Sequence, residues 1–150
     1  MKDLKYVTYC GLYCRLCSNM ARIPKHASAL RDTMRKGGWE YFGESEIEGF
    51  RQFWKVLKVL SDFDRTIPGC RGGCGPSDCE IRKCAAEKGV LTCAFCPESP
   101  CELLRKLIEK YPVIEENLAR QRELGVDLWI EEQEKLAESG FCYDDMGGEG

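Results

Sequence analysis

The stretch Cys93-Ala-Phe-Cys96-Pro-Glu-Ser-Pro-Cys101-Glu102 places two closely spaced cysteines directly before the start of a helix. A Cys-x-x-Cys turn allows both thiols to point at one metal ion. Cys101 follows in the predicted first turn of the helix, where unpaired N–H groups and the helix dipole favour a thiolate. We therefore predict that Cys93, Cys96 and Cys101 share one metal centre. Cys84, the nearest further cysteine in sequence, is the predicted fourth ligand.

Two more cysteine clusters precede this stretch. The first is Cys10-Gly-Leu-Tyr-Cys14-Arg-Leu-Cys17, and we expect its three thiols to share a second centre with a ligand from elsewhere. The second runs from Cys70 to Cys84 and begins with a glycine-rich loop that cannot be ordered by hydrophobic burial, so metal is expected to order it. Cys70, Cys74 and Cys79 are the candidates for the missing ligand. The predicted metal ligands are Cys10, Cys14, Cys17, Cys70, Cys74, Cys79, Cys84, Cys93, Cys96 and Cys101.

The ligand chemistry predicts zinc, with an iron–sulfur cluster as the alternative. The only histidine, His26, lies outside every cluster, so the sites would be all-sulfur, which suits either metal. Two four-sulfur sites leave two clustered cysteines unassigned. A divalent ion with four thiolates carries a net negative charge, and four basic side chains near the cysteines in sequence are expected to offset it. The alternative is that these four are ordinary surface residues. They are Arg15, Arg71, Arg82 and Lys83.

The sequence between the clusters predicts helices. The expected fold class is mainly α, a small helical domain with irregular cysteine-rich metal-binding loops. Apolar residues recur at helical spacing behind Ser45, the predicted N-cap of a helix with Glu48 as its capping-box partner. We expect this stripe to be buried. Its members are Ile47, Phe50, Phe53, Trp54, Leu57 and Leu60.

The chain has 150 residues and eleven cysteines, which fits one ordinary domain that is unusually rich in thiols. We predict a single cysteine-rich helical domain over residues 1–140 and a flexible, acidic, glycine-rich tail over 141–150. The opening residues lack the apolar run of a secretory signal, and no stretch is apolar enough to span a membrane. A cytoplasmic location is therefore expected, where thiols stay reduced and clustered thiols favour metal over disulfides.

The charge is distributed unevenly along the chain. Residues 1–40 carry eight Lys/Arg and three Asp/Glu, whereas residues 115–150 carry three and eleven. We expect both ends to be solvated helix faces; alternatively, the basic end meets an acidic partner or the chain's own acidic tail. The formal net charge of −3 argues against nucleic-acid binding by the whole chain. The expected partner is a protein, and the oligomeric state stays open.

Several motifs resemble one family. Cys10-Gly-Leu-Tyr-Cys14-x-x-Cys17, Cys70-Arg-Gly-Gly-Cys74 and the run from Cys79 to Leu104, with its Ile81-Arg82 pair, are similar to the cysteine-rich domain of unknown function 3795. The similarity covers about residues 6–110. Tyr13 and Ser18 depart from the family pattern, which has Asp and Pro there. The resemblance implies a soluble protein that binds metal, zinc in particular, and it implies no activity.

The leading functional hypothesis is a binding module in which metal staples the fold and presents helices to a protein partner. The alternative is an iron–sulfur or thiol redox protein, which would use the unassigned cysteines. A catalytic zinc usually keeps an open position and takes His or carboxylate ligands. No such constellation is recognisable here, and the question of enzymatic activity stays open.

Overall fold

The computed structural model of the protein describes residues 1–146. Within this range the chain forms α-helices and short 3-10 turns without any β-strand, apart from an isolated antiparallel bridge between Val7 and Tyr13. The predicted mainly α class with irregular cysteine-rich loops is confirmed. No helix in the described part of the chain combines the length and apolarity that a membrane span requires.

The chain divides into two compact units. The helical unit is Ser18–Ile67, and the cysteine unit combines Met1–Cys17 with the chain from Pro68 onward. All eleven cysteines belong to the cysteine unit, because the helical unit is inserted between Cys17 and Cys70. The single domain over residues 1–140 stays a prediction, since a division into compact units does not decide which parts fold independently.

The helices of the helical unit are α1 (Ser18–Ala21), α2 (Ile23–Lys36), α3 (Trp39–Glu46), α4 (Phe50–Ser61) and α5 (Phe63–Thr66). Pro24 lies in the first turn of α2, where its missing N–H needs no partner. Gly37 is the C-cap of α2, as the glycine pair at positions 37 and 38 predicts. α2 packs along α4, which brings their apolar faces together.

The apolar stripe is only partly buried. Phe50 and Leu57 are 4% and 3% exposed, and Trp54 stacks on Phe50 with ring centroids 5.6 Å apart. Ile47 and Phe53 are 52% and 40% exposed, so the prediction is wrong for these two. Ile47 lies outside α4, at the C-cap of α3, and Phe53 lies at the edge of the buried face.

The start of α4 also differs from the prediction. Ser45 lies inside α3, which was not predicted, and its hydroxyl donates to the carbonyl oxygen of Phe42 at 2.6 Å. Gly49, with a φ of 81°, turns the chain into α4. The Glu44 carboxylate then accepts from the Arg51 N–H at 2.6 Å. Because a helix cannot satisfy its own first N–H groups, Glu44 fills the capping role that the sequence assigned to Ser45.

The helices of the cysteine unit are α6 (Glu80–Lys88), α7 (Glu102–Lys110), α8 (Val113–Leu124) and α9 (Val126–Glu138). Short 3-10 turns cover Cys14–Leu16, Cys70–Gly72, Cys93–Phe95 and Tyr143–Met146. The N-caps of α6 and α7 are Cys79 and Cys101. Local sequence favours instead Ser77 and Ser99, each two residues earlier, because serine is a preferred N-cap residue. The Ser99 hydroxyl is buried and bonds no other group among residues 1–146, so it does not cap α7.

Two clusters of buried side chains form the core of the cysteine unit. One joins the N-terminal segment to α9 through Val7, Tyr13, Leu16, Trp129 and Ile130. The other joins α7 and α8 to the turn at residues 93–94 through Leu104, Ile114, Leu118, Ala85, Cys93 and Ala94. Full burial of an aliphatic or aromatic side chain contributes roughly 1.5–3 kcal/mol. Packing therefore anchors two of the cysteine-bearing segments directly.

The beginning of the predicted tail is packed. Cys142 is fully buried, and Phe141 and Tyr143 pack against the core cluster that contains Trp129. The Tyr13 N–H donates to the Tyr143 hydroxyl at 2.8 Å. Ordered structure thus continues past residue 140, because aromatic side chains after Gly140 return to the core. Residues 147–150 lie outside the described part of the chain, and the flexible tail stays a prediction.

Candidate metal centre

Most cysteines lie in turns, loops or at helix starts, and Cys84 lies within α6. None of the eleven, all of which lie within residues 1–146, forms a disulfide. Ten of them come from the three clusters that the sequence shows, and eight of these ten form two groups that cross cluster boundaries.

The first group combines two clusters that are more than fifty residues apart. We call Cys14, Cys17, Cys70 and Cys74 the loop set. The Cys70 N–H donates to Cys14 Sγ at 3.4 Å. Burial, together with the neighbouring thiols of Cys70, Cys74 and Cys17, raises the pKa of the Cys14 thiol from 9.0 to about 11, although the hydrogen bond from the Cys70 N–H lowers it. The bond from the Cys70 N–H brings the two clusters into contact at Cys14, and Cys17 and Cys74 lie within electrostatic range of its thiol.

A glycine allows this close approach. Gly69, with a φ of 76°, precedes Cys70, and a Cβ on it would lie 2.6 Å from the carbonyl oxygen of Lys5. Any side chain at position 69 would therefore displace the cysteine loop from the N-terminal segment. Cys14 is fixed on the other side, where its N–H donates to the Tyr6 carbonyl oxygen at 2.8 Å.

The second group surrounds a cavity. We call Cys84, Cys93, Cys96 and Cys101 the pocket set, and all four line a cavity of about 20 Å³. Burial raises the pKa of Cys93 to about 12, and the thiols of Cys10 and of the rest of the set add to the rise. Ser99 lines the same cavity, and its buried hydroxyl has no hydrogen-bond partner among the described residues. The structure thus gathers the four cysteines that the sequence predicted as one centre.

Neither set is a finished coordination shell. Within residues 1–146, no three His, Cys, Asp or Glu side chains are arranged so that they could hold a metal ion as they stand. An ion would have to draw the sulfurs inward, because thiolates that share one zinc lie about 4 Å apart. The structure brings the residues of each set together, and their shared metal stays a prediction.

Cys10 and Cys79 lie outside both sets. Burial raises the pKa of Cys10, and the thiols of Cys70 and Cys79 add to this effect. Thr8 Oγ1 lies 3.2 Å from Cys10 Sγ. Cys10 also acts on Cys93, so it lies within electrostatic range of one thiol from each set. The structure therefore places Cys10 near thiols of the middle and last clusters. Cys10, Cys14 and Cys17 also lie within electrostatic range of the Tyr143 hydroxyl, and the centre that the sequence assigns to these three cysteines stays a prediction.

The chain matches the family model described as "Protein of unknown function (DUF3795)" over residues 6–106. The protein belongs to this family. The resemblance seen in the cysteine motifs is thereby confirmed, and all ten clustered cysteines lie within the matched range. Searches among curated proteins and among solved structures found no match.

Basic side chains surround the thiol sets in the DUF3795 region. Arg82 Nη1 lies 4.0 Å from Cys70 Sγ in the loop set, and Lys88 Nζ lies 3.9 Å from Cys96 Sγ in the pocket set. Arg15 forms an ion pair with Glu134, Lys88 also forms one with Glu98, and Lys83 is exposed. Two cations thus lie near sulfur, one at each set, where they can offset thiolate charge.

Two arginines of the DUF3795 region also bond the backbone, a role that the sequence analysis missed. Arg71 donates to the carbonyl oxygens of Val7 and Leu91 and lies over the ring of Tyr9 at 4.2 Å. Arg82 donates to three carbonyl oxygens of the cysteine loop. A glycine-rich loop has many carbonyl oxygens without helix or sheet partners, and arginine offers five hydrogen-bond donors. Arginines within and just after such a loop were therefore the sequence signal for these bonds.

Proposed function

We propose that the protein binds two zinc ions, one in each thiol set, and that the ions staple the cysteine unit into a module for binding a protein partner. The observation that carries this proposal is the pocket set. Four thiols from three chain segments and one unpartnered hydroxyl line a single small cavity. A buried hydroxyl without a partner costs free energy, and a thiolate bound to metal would accept its hydrogen bond.

The charges around the sets support an ion with thiolate ligands. Burial holds Cys14 and Cys93 protonated in the absence of metal, and a bound divalent cation reverses that preference by stabilising the thiolate. Zinc with four thiolates carries two net negative charges, and Arg82 and Lys88 lie where they would offset them. Each set therefore has the ligands and the compensating cation that a zinc–thiolate centre needs.

The cavity of about 20 Å³ that the pocket set lines has room for one ion. Zinc is the ion proposed, and an iron–sulfur cluster is the alternative. The binding-module role rests on the helices that surround the sets, where α9 exposes the apolar side chains of Leu128 and Leu136. A reducing compartment such as the cytoplasm would keep the thiols available for metal.

Elemental analysis of protein purified without oxygen tests the proposal. We expect a colourless protein with two zinc ions per chain. Cys96→Ser should lose the pocket-set ion and Cys74→Ser the loop-set ion, while Cys79→Ser, outside both sets, should keep two. Wild-type protein without metal would refute metal binding. A brown protein that contains iron would refute the zinc proposal and support the alternative, an iron–sulfur redox protein.

A further inference from the structure

The cysteine loop is ordered without a hydrophobic core of its own. No residue from 70 to 80 is buried, so apolar burial contributes little there. Ordering one residue costs roughly 1–2 kcal/mol of backbone entropy. Short backbone bonds shape the loop, since the N–H groups of Gly72 and Cys74 both donate to the Gly69 carbonyl oxygen. The N–H groups of Gly73 and Cys79 add bonds to the carbonyl oxygens of Cys70 and Pro76, but these local bonds alone do not offset the ordering of a loop of this length.

Arg82 adds three side-chain hydrogen bonds to the backbone of the loop. Its Nη1 donates to the carbonyl oxygens of Cys70 at 3.0 Å and Cys74 at 2.9 Å. Its Nη2 donates to the carbonyl oxygen of Pro76 at 2.6 Å. One planar guanidinium therefore joins both ends of the loop, and it projects from the first turn of α6, directly after the Cys79 N-cap.

We propose that Arg82 is the positioning residue of the loop set: it holds the backbones of Cys70 and Cys74 at a fixed separation before the metal binds. This inference rests on the proposed function of the loop set as a zinc site. Because the two ligand residues share one rigid fork, the ion meets a loop that is already ordered. The entropy cost of ordering the loop is then part of the free energy of folding and does not lower the affinity for metal.

The chemistry of the side chain makes arginine specific for this role. The guanidinium presents its donors in a plane and stays charged, whereas a lysine ammonium is a point charge on a flexible stem. Lysine at position 82 keeps the positive charge near Cys70 Sγ but does not reproduce the planar fork that spans three carbonyl oxygens. Arg82→Lys therefore separates positioning from charge compensation, and Arg82→Gln removes both.

Metal affinity of the loop set is the first readout. Zinc is titrated by competition with a chelator into the full chain carrying Cys96→Ser, which leaves the loop set as the remaining site. Arg82→Gln and Arg82→Lys are expected to lower its affinity by about 10–100-fold, the usual cost of losing an outer-shell partner. Lys83→Gln, an exposed neighbour on α6, is the matched control and should change nothing. Unchanged affinity in both Arg82 variants, or full rescue by lysine, would overturn the proposal.

Hydrogen exchange of the metal-free, reduced full chain is the second readout. The amides of Gly73 and Cys74 should be protected in wild-type and Lys83→Gln protein and should exchange faster in Arg82→Gln, while amides of α8 stay protected and show that the variant is folded. Free exchange of both amides in wild-type protein would refute the prior ordering. Failure of the proposed function looks different, because the wild-type loop set would then bind no zinc whatever the exchange shows.

Discussion

The loop set and the pocket set each bring four cysteines together, but different forces hold the backbone around them. In the loop set, an exposed glycine-rich loop is held by hydrogen bonds from Arg82. In the pocket set, Cys93 lies in the core cluster of Leu104 and Ile114, and Cys101 packs against that cluster. The comparison shows that thiols can be assembled either by guanidinium–carbonyl bonds or by apolar packing, and each mechanism makes its set sensitive to a different change.

Removal of metal should have the largest effect. Binding a structural zinc releases on the order of 10 kcal/mol, so chelation should strip amide protection from residues 93–101. Gly73 and Cys74 should keep part of their protection because Arg82 still bonds the loop, and α4 in the helical unit serves as the internal control. The measurement is hydrogen exchange before and after chelation under reducing conditions. If residues 93–101 keep full protection once the metal is gone, the metal does not staple the pocket set.

Leu104→Ala should come next, and it should act on the pocket set alone. Leu104 is fully buried on α7, the helix that follows Cys101. Truncating a buried leucine costs about 2–5 kcal/mol, which urea unfolding would measure. Leu128→Ala, at a side chain 51% exposed, is the control and should cost under about 0.5 kcal/mol. The zinc affinity of the pocket set should fall, and that of the loop set should stay unchanged. Equal losses of affinity at both sets would show that they do not depend on different forces.

Alkaline pH should destabilise the metal-free protein. Folding raises the pKa of Cys14 from 9.0 to about 11 and that of Cys93 from 9.0 to about 12. Above pH 9 the unfolded chain gives up protons that the folded protein retains, so the free energy of unfolding falls as the pH rises. Each pKa unit corresponds to about 1.4 kcal/mol, and the fall should continue furthest at the pocket set.

Urea unfolding of reduced, metal-free protein at several pH values from about 8 to 10.5 measures this fall. Zinc-loaded protein is the control, because its ligand thiols are already deprotonated and should not produce the same decline. Parallel curves for the metal-free and the loaded protein would contradict the assignment of these thiols to the zinc sites.

Ser99→Ala should have the smallest effect, and its sign should depend on metal. Without metal the change removes a buried hydroxyl that has no partner, so stability should stay equal or rise slightly. With zinc bound it removes a donor to thiolate, and the affinity of the pocket set should fall by about 1 kcal/mol, or roughly fivefold. Ser77→Ala, on the exposed loop, is the control. A loss of stability in the metal-free variant would show that the hydroxyl already has a partner there.

Much of the fold could be predicted from local pattern. The glycines at 37, 89 and 125 are the C-caps of α2, α6 and α8, and their positions can be read from the sequence because glycine is the residue most common just past the end of a helix. Helix starts were predicted less well. Glu44 replaces Ser45 as the capping group of α4. Ser99 does not cap α7, because its side chain lines the cavity of the pocket set and its hydroxyl bonds no described residue. A serine hydroxyl has several partners available, and only the surrounding packing selects one.

The sequence by itself determined the helical class, the family and the thiols of the pocket set, because these depend on periodicity and on ligands separated by at most 17 residues. Only the tertiary structure decided that Cys14 and Cys17 meet Cys70 and Cys74, since the whole helical unit lies between them in the chain. It also decided that Arg82 bonds three loop carbonyl oxygens. These contacts join backbone segments that the tertiary fold brings together, and the local spacing of residues does not predict where such segments meet.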